Sequence, residues 1–127
     1  MAEINRTNVA QAFMRICGLL NVVSYNDMIS RSIRKISDAL TVDELTEDQA
    51  ASCEYAAACE AAYEYTLEEA SCERLVQSEK GSIRRGAADP LTVEGAEALR
   101  KHAYADLAGI ARLGGFVFET VKESGEA

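Results

Sequence analysis

The spacing of apolar positions along the chain predicts a protein built mainly of helices. Over residues 8–20, apolar side chains recur every three or four positions, which places them on one face of a helix. Residues 21–26 form a break before a second helix. The apolar face of that helix carries Ile29, Ile33, Ile36 and Leu40, and its opposite face carries the basic residues Arg31, Arg34 and Lys35.

The longest predicted helix covers residues 47–77. Thr46 and Gln49 have the spacing of a capping box that starts it, and no proline or glycine interrupts it. Such a helix would be on the order of 45 Å long. Its apolar positions are mostly small, which lets neighbouring helices approach closely, and they consist of Ala50, Ala51, Ala57, Ala58, Ala61 and Ala62 with Tyr55, Tyr63, Tyr65 and Leu67 among them.

The last third of the chain predicts a loop, a helix and an extension. Residues 78–89 are polar and contain two glycines, which indicates a loop with room for one short strand or hairpin. Asp89 and Pro90 are suited to be the N-cap and first residue of a helix over residues 91–113. Gly114 and Gly115 would end it, and residues 114–127 form a short extension. We therefore expect one all-α domain over residues 1–127, a small bundle of about four helices.

Composition narrows the range of functions. The chain has 127 residues, which suits one core. With 21 acidic and 13 basic residues its net charge is −8, which argues against a surface made to bind nucleic-acid phosphates. The sequence shows no apolar run typical of a membrane span or of a secretory signal. The expected compartment is the cytoplasm.

The chain has few residues of the types that usually catalyse reactions or bind metals. Cys17, Cys53, Cys59 and Cys72 form no Cys-x-x-Cys pair, and His102 is the only histidine. Buried free thiols are the main interpretation of the cysteines, and a metal or redox role is the alternative. We interpret His102 as a residue of its helix that is either at the surface or satisfied by local contacts. No nucleotide-binding glycine pattern is present, so we expect neither an enzyme nor a bound metal or cofactor.

Charged residues offer candidate contact surfaces. Glu60, Glu64 and Glu68 stand four apart on one predicted helical face. Like charges at that spacing weaken a helix slightly, so this face should be solvated or meet a basic partner. Arg84 and Arg85 lie in the predicted loop near Lys80. That loop is either solvated, in contact with an acidic protein neighbour, or in contact with DNA.

The order of these elements resembles the small head–tail connector (adaptor) proteins of tailed bacteriophages and prophages. The similarity covers most of the chain as a pattern of length and composition. It is carried by the stretches 9–13 and 19–20, 56–58 and 63–65, 80–83, 96–99 and 114–118, which read VAQAF and LL, AAA and YEY, KGSI, AEAL and GGFVF. The loop here is more basic than the acidic, strand-like loop expected of the family, because it contains Arg84 and Arg85.

The resemblance implies a structural virion protein of the neck, made in the bacterial cytoplasm. Such proteins form a ring, commonly of twelve subunits, below the portal protein. The ring extends the DNA channel, lets DNA pass without sequence-specific binding, and provides the docking surface for a tail-side neck protein. It would have no active site and no membrane contact.

The resemblance also suggests which residues make contacts. A ring needs two different patches that meet between neighbouring subunits. The acidic patch would be Glu60, Glu64 and Glu68, and the basic patch would be Arg31, Arg34, Lys35, Arg84 and Arg85. Two phenylalanines close together near the end of the chain make Phe116, Val117 and Phe118 the candidate contact with the portal, and packing in the protein's own core is the alternative.

A second hypothesis is a small cytoplasmic helical regulator or adaptor that binds one host protein. It predicts a monomer or dimer with one exposed apolar groove, whereas the connector hypothesis predicts a ring with portal and tail partners. Both require the same kind of helical core.

Overall fold

A computed structural model describes residues 3–80 and 91–113, without the side chains of residues 72–80. It contains four α-helices and a short 3₁₀ helix, Val23–Tyr25. The α-helices are α1 (Arg6–Cys17), α2 (Asn26–Ala39), α3 (Glu47–Lys80) and α4 (Val93–Ala105). Within the described ranges there is no β-strand, and an antiparallel bridge joins Leu40 and Ala111. The predicted all-α bundle is confirmed.

Helix α1 begins and ends with clear capping geometry. The Asn5 side chain accepts a hydrogen bond from the Asn8 amide, as expected of an N-cap. Gly18 has φ 71°, and its N–H and that of Leu19 both donate to the Met14 carbonyl. The prediction that this helix extends to residue 20 is wrong at its end, because Gly18 adopts the left-handed conformation that closes a helix.

Helix α3 begins as the sequence predicts. The Thr46 amide donates to Gln49 Oε1 over 2.9 Å, and the Gln49 amide donates to Thr46 Oγ1 over 3.1 Å. These reciprocal bonds satisfy two amides near the helix start. The capping box is confirmed.

Helix α4 differs from its prediction at both ends. Thr92 is the N-cap and accepts from the Gly95 amide over 2.9 Å, so the helix begins after the position expected from Asp89 and Pro90, which lie outside the described residues. It ends at Ala105, well short of Leu113. The bond from the Leu107 amide to the Tyr104 carbonyl (3.0 Å) belongs to the tighter turns that follow. These turns bring the chain to α2, where the bridge forms.

Helix α3 is the centre of the bundle and packs against α1, α2 and α4. Every residue from 56 to 62 is buried, so this part of α3 has no solvent-facing side. Its alanines let three helices surround it at close range. Most of the larger core side chains come from those helices and from the turn after α4, and they include Val9, Phe13, Ile29, Ile36, Tyr104 and Leu107.

Side-chain contacts give the helix directions. Arg31 and then Lys35 of α2 contact Glu64 and then Glu60 of α3, so α2 runs antiparallel to α3. Arg100 of α4 contacts Tyr63 of α3, and Tyr104, further along α4, contacts Glu60. Helix α4 therefore also runs antiparallel to α3. Helices α2 and α4 therefore flank Glu60 from two sides.

Candidate interaction surfaces

Glu60 lies at the centre of a buried charged cluster. Its side chain is 5% exposed, and it comes from the middle of α3. Glu60 Oε2 lies 3.4 Å from Lys35 Nζ of α2, and Glu60 Oε1 lies 3.3 Å from an Arg100 guanidinium nitrogen of α4. The Tyr104 hydroxyl of α4 also donates to Glu60 Oε1. One carboxylate thus connects three helices. We call these four residues the Glu60 cluster.

Aromatic rings surround the cations of the Glu60 cluster. The Arg100 guanidinium carbon lies 4.1 Å from the centre of the Tyr63 ring and 5.8 Å from that of Tyr104. Lys35 Nζ lies 5.9 Å from the Tyr104 ring centre. These distances suit cation–π attraction, which is strengthened where the cation is shielded from water. Arg100, at 15% exposure, is far better shielded than Lys35.

Burial changes the acidity of Tyr104. Desolvation is the main cause that raises the pKa of its hydroxyl well above 10.0, and the hydrogen bond to Glu60 adds to it. The phenol therefore keeps its proton in the folded protein and stays a hydrogen-bond donor to the carboxylate.

A second ion pair lies at the surface beside the Glu60 cluster. An Arg31 guanidinium nitrogen is 2.9 Å from Glu64 Oε1, and the two side chains are 56% and 29% exposed. The hydrogen bond with Glu64 is the main cause that raises the pKa of Arg31. Solvent screens such a pair, so its net contribution to stability is small.

The structure thus brings together two acidic and two basic candidates within one chain, as the pairs Glu60–Lys35 and Glu64–Arg31. The solvated face predicted for the three glutamates does not include Glu60, which is buried. Glu68 and Arg34 are exposed. The other contact candidates, Arg84, Arg85, Phe116, Val117 and Phe118, lie outside the described residues. A role between subunits stays a prediction for all of them.

The sequence pattern did not predict that two apolar side chains near the end of α1 are exposed. Leu20 and Val23 are 98% and 76% exposed. The Asn21 side chain accepts from the Val23 amide over 3.1 Å, so a local turn fixes the backbone between them. Leu20 was predicted to belong to the apolar face of the first helix. Gly18 was the signal that the helix ends earlier.

The cysteines agree with the main interpretation from sequence. Cys53 and Cys59 are buried free thiols and Cys17 is partly buried, whereas Cys72 lies where side chains are not described. Burial is the main cause that raises the pKa of Cys59 to about 11 and that of Cys17 to about 12. Thiols that hold their protons this strongly are poor nucleophiles and metal ligands. His102 is exposed near the end of α4.

The described residues contain no group of three or more His, Cys, Asp or Glu side chains placed to hold a metal ion. They also contain no helix with the length and apolar character that crossing a membrane requires.

Comparison with known proteins gives no relative: no family model, no curated protein and no solved structure matches this chain.

Proposed function

We propose that the protein is a head–tail connector of a tailed bacteriophage or prophage, a structural protein without catalytic activity. It would form a ring below the portal, extend the DNA channel and provide a docking surface for the tail. The observation that carries the proposal is the element order around α3: a short helical pair, a long alanine- and tyrosine-rich helix and a final helix. That order is the basis of the resemblance to connectors.

The charge distribution supports a narrower version of the proposed ring contact. Glu60 is enclosed by its own chain, so a neighbouring subunit would meet the outer charges. On α2 these are Arg31 and Arg34 with the half-exposed Lys35, and on α3 they are Glu64 and Glu68. Arg31 and Glu64 already pair within the chain, so the unlike patches that a closed ring needs would rest mainly on Arg34 and Glu68.

Net charge supports the proposed role of a passage for DNA. A protein of charge −8 repels phosphates at distances up to about 8 Å at physiological salt. Few lasting contacts would then form with DNA moving through the ring. Virion neck localisation and the portal and tail-side partners are parts of the same proposal.

The test is light scattering and negative-stain microscopy on the purified protein, alone and co-expressed with a portal protein from the same genome. We expect rings or a stable portal complex. Deleting residues 116–127 should abolish the portal complex if Phe116, Val117 and Phe118 make that contact. Deleting only residues 119–127 is the matched control, because it keeps these three residues and should keep the complex.

A genome without a portal gene would contradict the proposal. So would a protein that stays monomeric or dimeric and does not bind the portal at micromolar concentrations. That second result would favour the small cytoplasmic regulator that binds one host protein.

A further inference from the structure

We propose that the Glu60 cluster is a latch that fixes α4 on α3, and that α4 can detach from the α1–α3 core as one unit when the latch opens. This inference concerns the bundle itself and is independent of the proposed connector function. Its basis is the packing of α4, the chemistry of Glu60 and the bridge that follows α4.

Helix α4 is attached to the bundle mainly through α3. The other two outer helices pack against α3 and also against each other. The buried residues of α4 are Ala96, Ala103 and Tyr104, and they face an α3 segment rich in alanine. The alanines bury one methyl group each, whereas Tyr104 and Leu107, in the turn after α4, bury large apolar surfaces. The polar contacts of the Glu60 cluster add to this apolar attachment and fix the position of α4.

Two polar contacts to α4 converge on one atom. Glu60 Oε1 receives the hydrogen bonds of both Arg100 and Tyr104, and Glu60 Oε2 receives that of Lys35. Departure of α4 would remove two of these three donors and leave Lys35 of α2. Since Lys35 is half exposed, water could then reach the remaining pair.

This chemistry makes the α3–α4 contact reversible. Desolvation of ions opposes burial, and opening returns hydration to both Glu60 and Arg100. Opening an apolar contact of equal area releases no comparable hydration free energy. Glu60 also keeps one cation partner in the open form, so no isolated charge remains.

The bridge after α4 belongs to the same unit. The Thr41 amide donates to the Ile110 carbonyl over 2.8 Å, and the Arg112 amide donates to the Ala39 carbonyl over 2.6 Å. These bonds hold the chain just after α4 against the end of α2. If α4 leaves α3, the bridge should open with it, so Thr41 and Arg112 report on the same event.

The test is hydrogen–deuterium exchange of the full chain, followed by NMR or by mass spectrometry of short peptides. In the wild type, amides of α4 and those of Thr41 and Arg112 should exchange together and faster than amides in the middle of α1 and α2. Opening of a cooperative unit below the global unfolding free energy produces this pattern.

The variant Glu60→Gln keeps the shape and removes the charge that holds Arg100. We expect exchange of α4 and of Thr41 and Arg112 to rise by at least about tenfold. Amides in the middle of α1 that exchange only on global unfolding should rise by the same factor, because the substitution also lowers the unfolding free energy, and they should remain slower than those of α4. Glu68→Gln is the matched control, since Glu68 is exposed on the same helix, and it should leave α4 unchanged.

Three results would overturn the latch. They are equal exchange of α1 and α4 in the wild type, equal exchange of these two helices in Glu60→Gln, or no rise in α4. If Glu60→Gln does not fold, Tyr104→Phe is used instead, because it removes only one hydroxyl donor. It should keep exchange of α4 faster than that of α1 with a smaller rise, about fivefold. Equal exchange of the two helices, or no rise in α4, would again overturn the inference.

Discussion

Glu60 is the residue whose burial differs most from what the charge pattern of α3 predicts. Its spacing from Glu64 and Glu68 indicates a common face, and all three lie on α3. Their surroundings differ, because Glu60 is buried, Glu64 is half-buried and Glu68 is exposed. A periodic pattern defines the face of a helix but does not show which helices cover it. The buried carboxylate is tolerated because three donors from two other helices surround it.

Removing one of these donors should weaken the fold measurably. Tyr104→Phe keeps the ring and leaves Glu60 without its hydroxyl donor, and we expect a loss of about 1–3 kcal/mol in unfolding free energy. Urea denaturation followed by circular dichroism measures it. Tyr63→Phe is the control, because the Tyr63 ring faces Arg100 through its π surface, and it should change stability by less than about 0.5 kcal/mol. Equal effects of the two substitutions would contradict the assigned role of the Tyr104 hydroxyl.

Alkaline pH should destabilise the protein through its buried thiols and phenol. An unfolded chain releases the thiol proton of Cys59 near the ordinary cysteine pKa of 9.0, whereas the folded protein keeps it until a pKa of about 11. The folded pKa is raised, so this contribution to stability is complete below pH 9 and is lost as pH rises through about 11. Tyr104, whose pKa is raised above 10.0, acts in the same direction above pH 10.

The check on this pH dependence is the urea midpoint between pH 8 and pH 11, which should fall steadily from about pH 9. Cys59→Ala should flatten the first part of the decline. Cys72→Ser is the comparison variant, because it also removes one thiol. A midpoint that stays constant to pH 11 would contradict the raised pKa values.

At the scale of elements, local signals predicted where helices occur better than where they end. The capping box at Thr46 and Gln49 is a purely local device, so the sequence was enough to locate the start of α3. The end of α4 was not predictable in this way, because the apolar pattern continues to Leu107 and Ile110 after the helix has stopped. These residues pack from turns that the contact with α2 imposes. The start of α4 was predicted from Asp89 and Pro90, whereas the structure places the N-cap at Thr92.

The alanines of α3 also predicted close packing but not its extent. A stripe was expected, whereas the segment 56–62 is buried on all sides. Burial of a whole helix depends on the number of neighbours that surround it, which the sequence of that helix does not contain. The Glu60 cluster was missed for the same reason, since Arg100 and Tyr104 come from a helix that the charge pattern of α3 does not describe.

Enlarging a buried alanine of α3 should therefore force the bundle apart. Ala57→Leu adds bulk at a site with 0% exposure, and we expect it to destabilise the protein by about 1–3 kcal/mol. Ala51→Leu is the matched control, because Ala51 is exposed on the same helix and should change stability by less than about 0.5 kcal/mol. Thermal and urea unfolding measure both. A well-tolerated leucine at residue 57 would contradict the close approach of the helices.

At the scale of the whole molecule, charge exchange tests the proposed ring. Arg34→Glu and Glu68→Lys each reverse an exposed charge that the Glu60 cluster does not use. If the α2 face of one subunit meets the α3 face of the next, each single variant should raise the concentration needed for assembly by about fivefold, near 1 kcal/mol. The double variant should recover much of the loss, and light scattering across a dilution series measures this.

The control for the charge exchange is Glu44→Lys, an exposed acidic residue before α3. It changes the net charge as much as Glu68→Lys does and should leave assembly unchanged. If Glu44→Lys weakens assembly as much as Glu68→Lys does, net charge and not a specific contact is responsible. The double variant keeps the wild-type net charge of −8, so Glu44→Lys is the variant that distinguishes the two causes.

The bridge between Leu40 and Ala111 affects the order in which contacts form during folding. It joins residues separated by about 70 positions, and closing so long a loop carries an entropic cost that grows with the logarithm of its length. Two hydrogen bonds cannot offset that cost until α3 and α4 have already docked. The bridge should therefore be among the last contacts made during folding, so that weakening it, for example with Arg112→Pro, should speed unfolding while leaving the folding rate nearly unchanged.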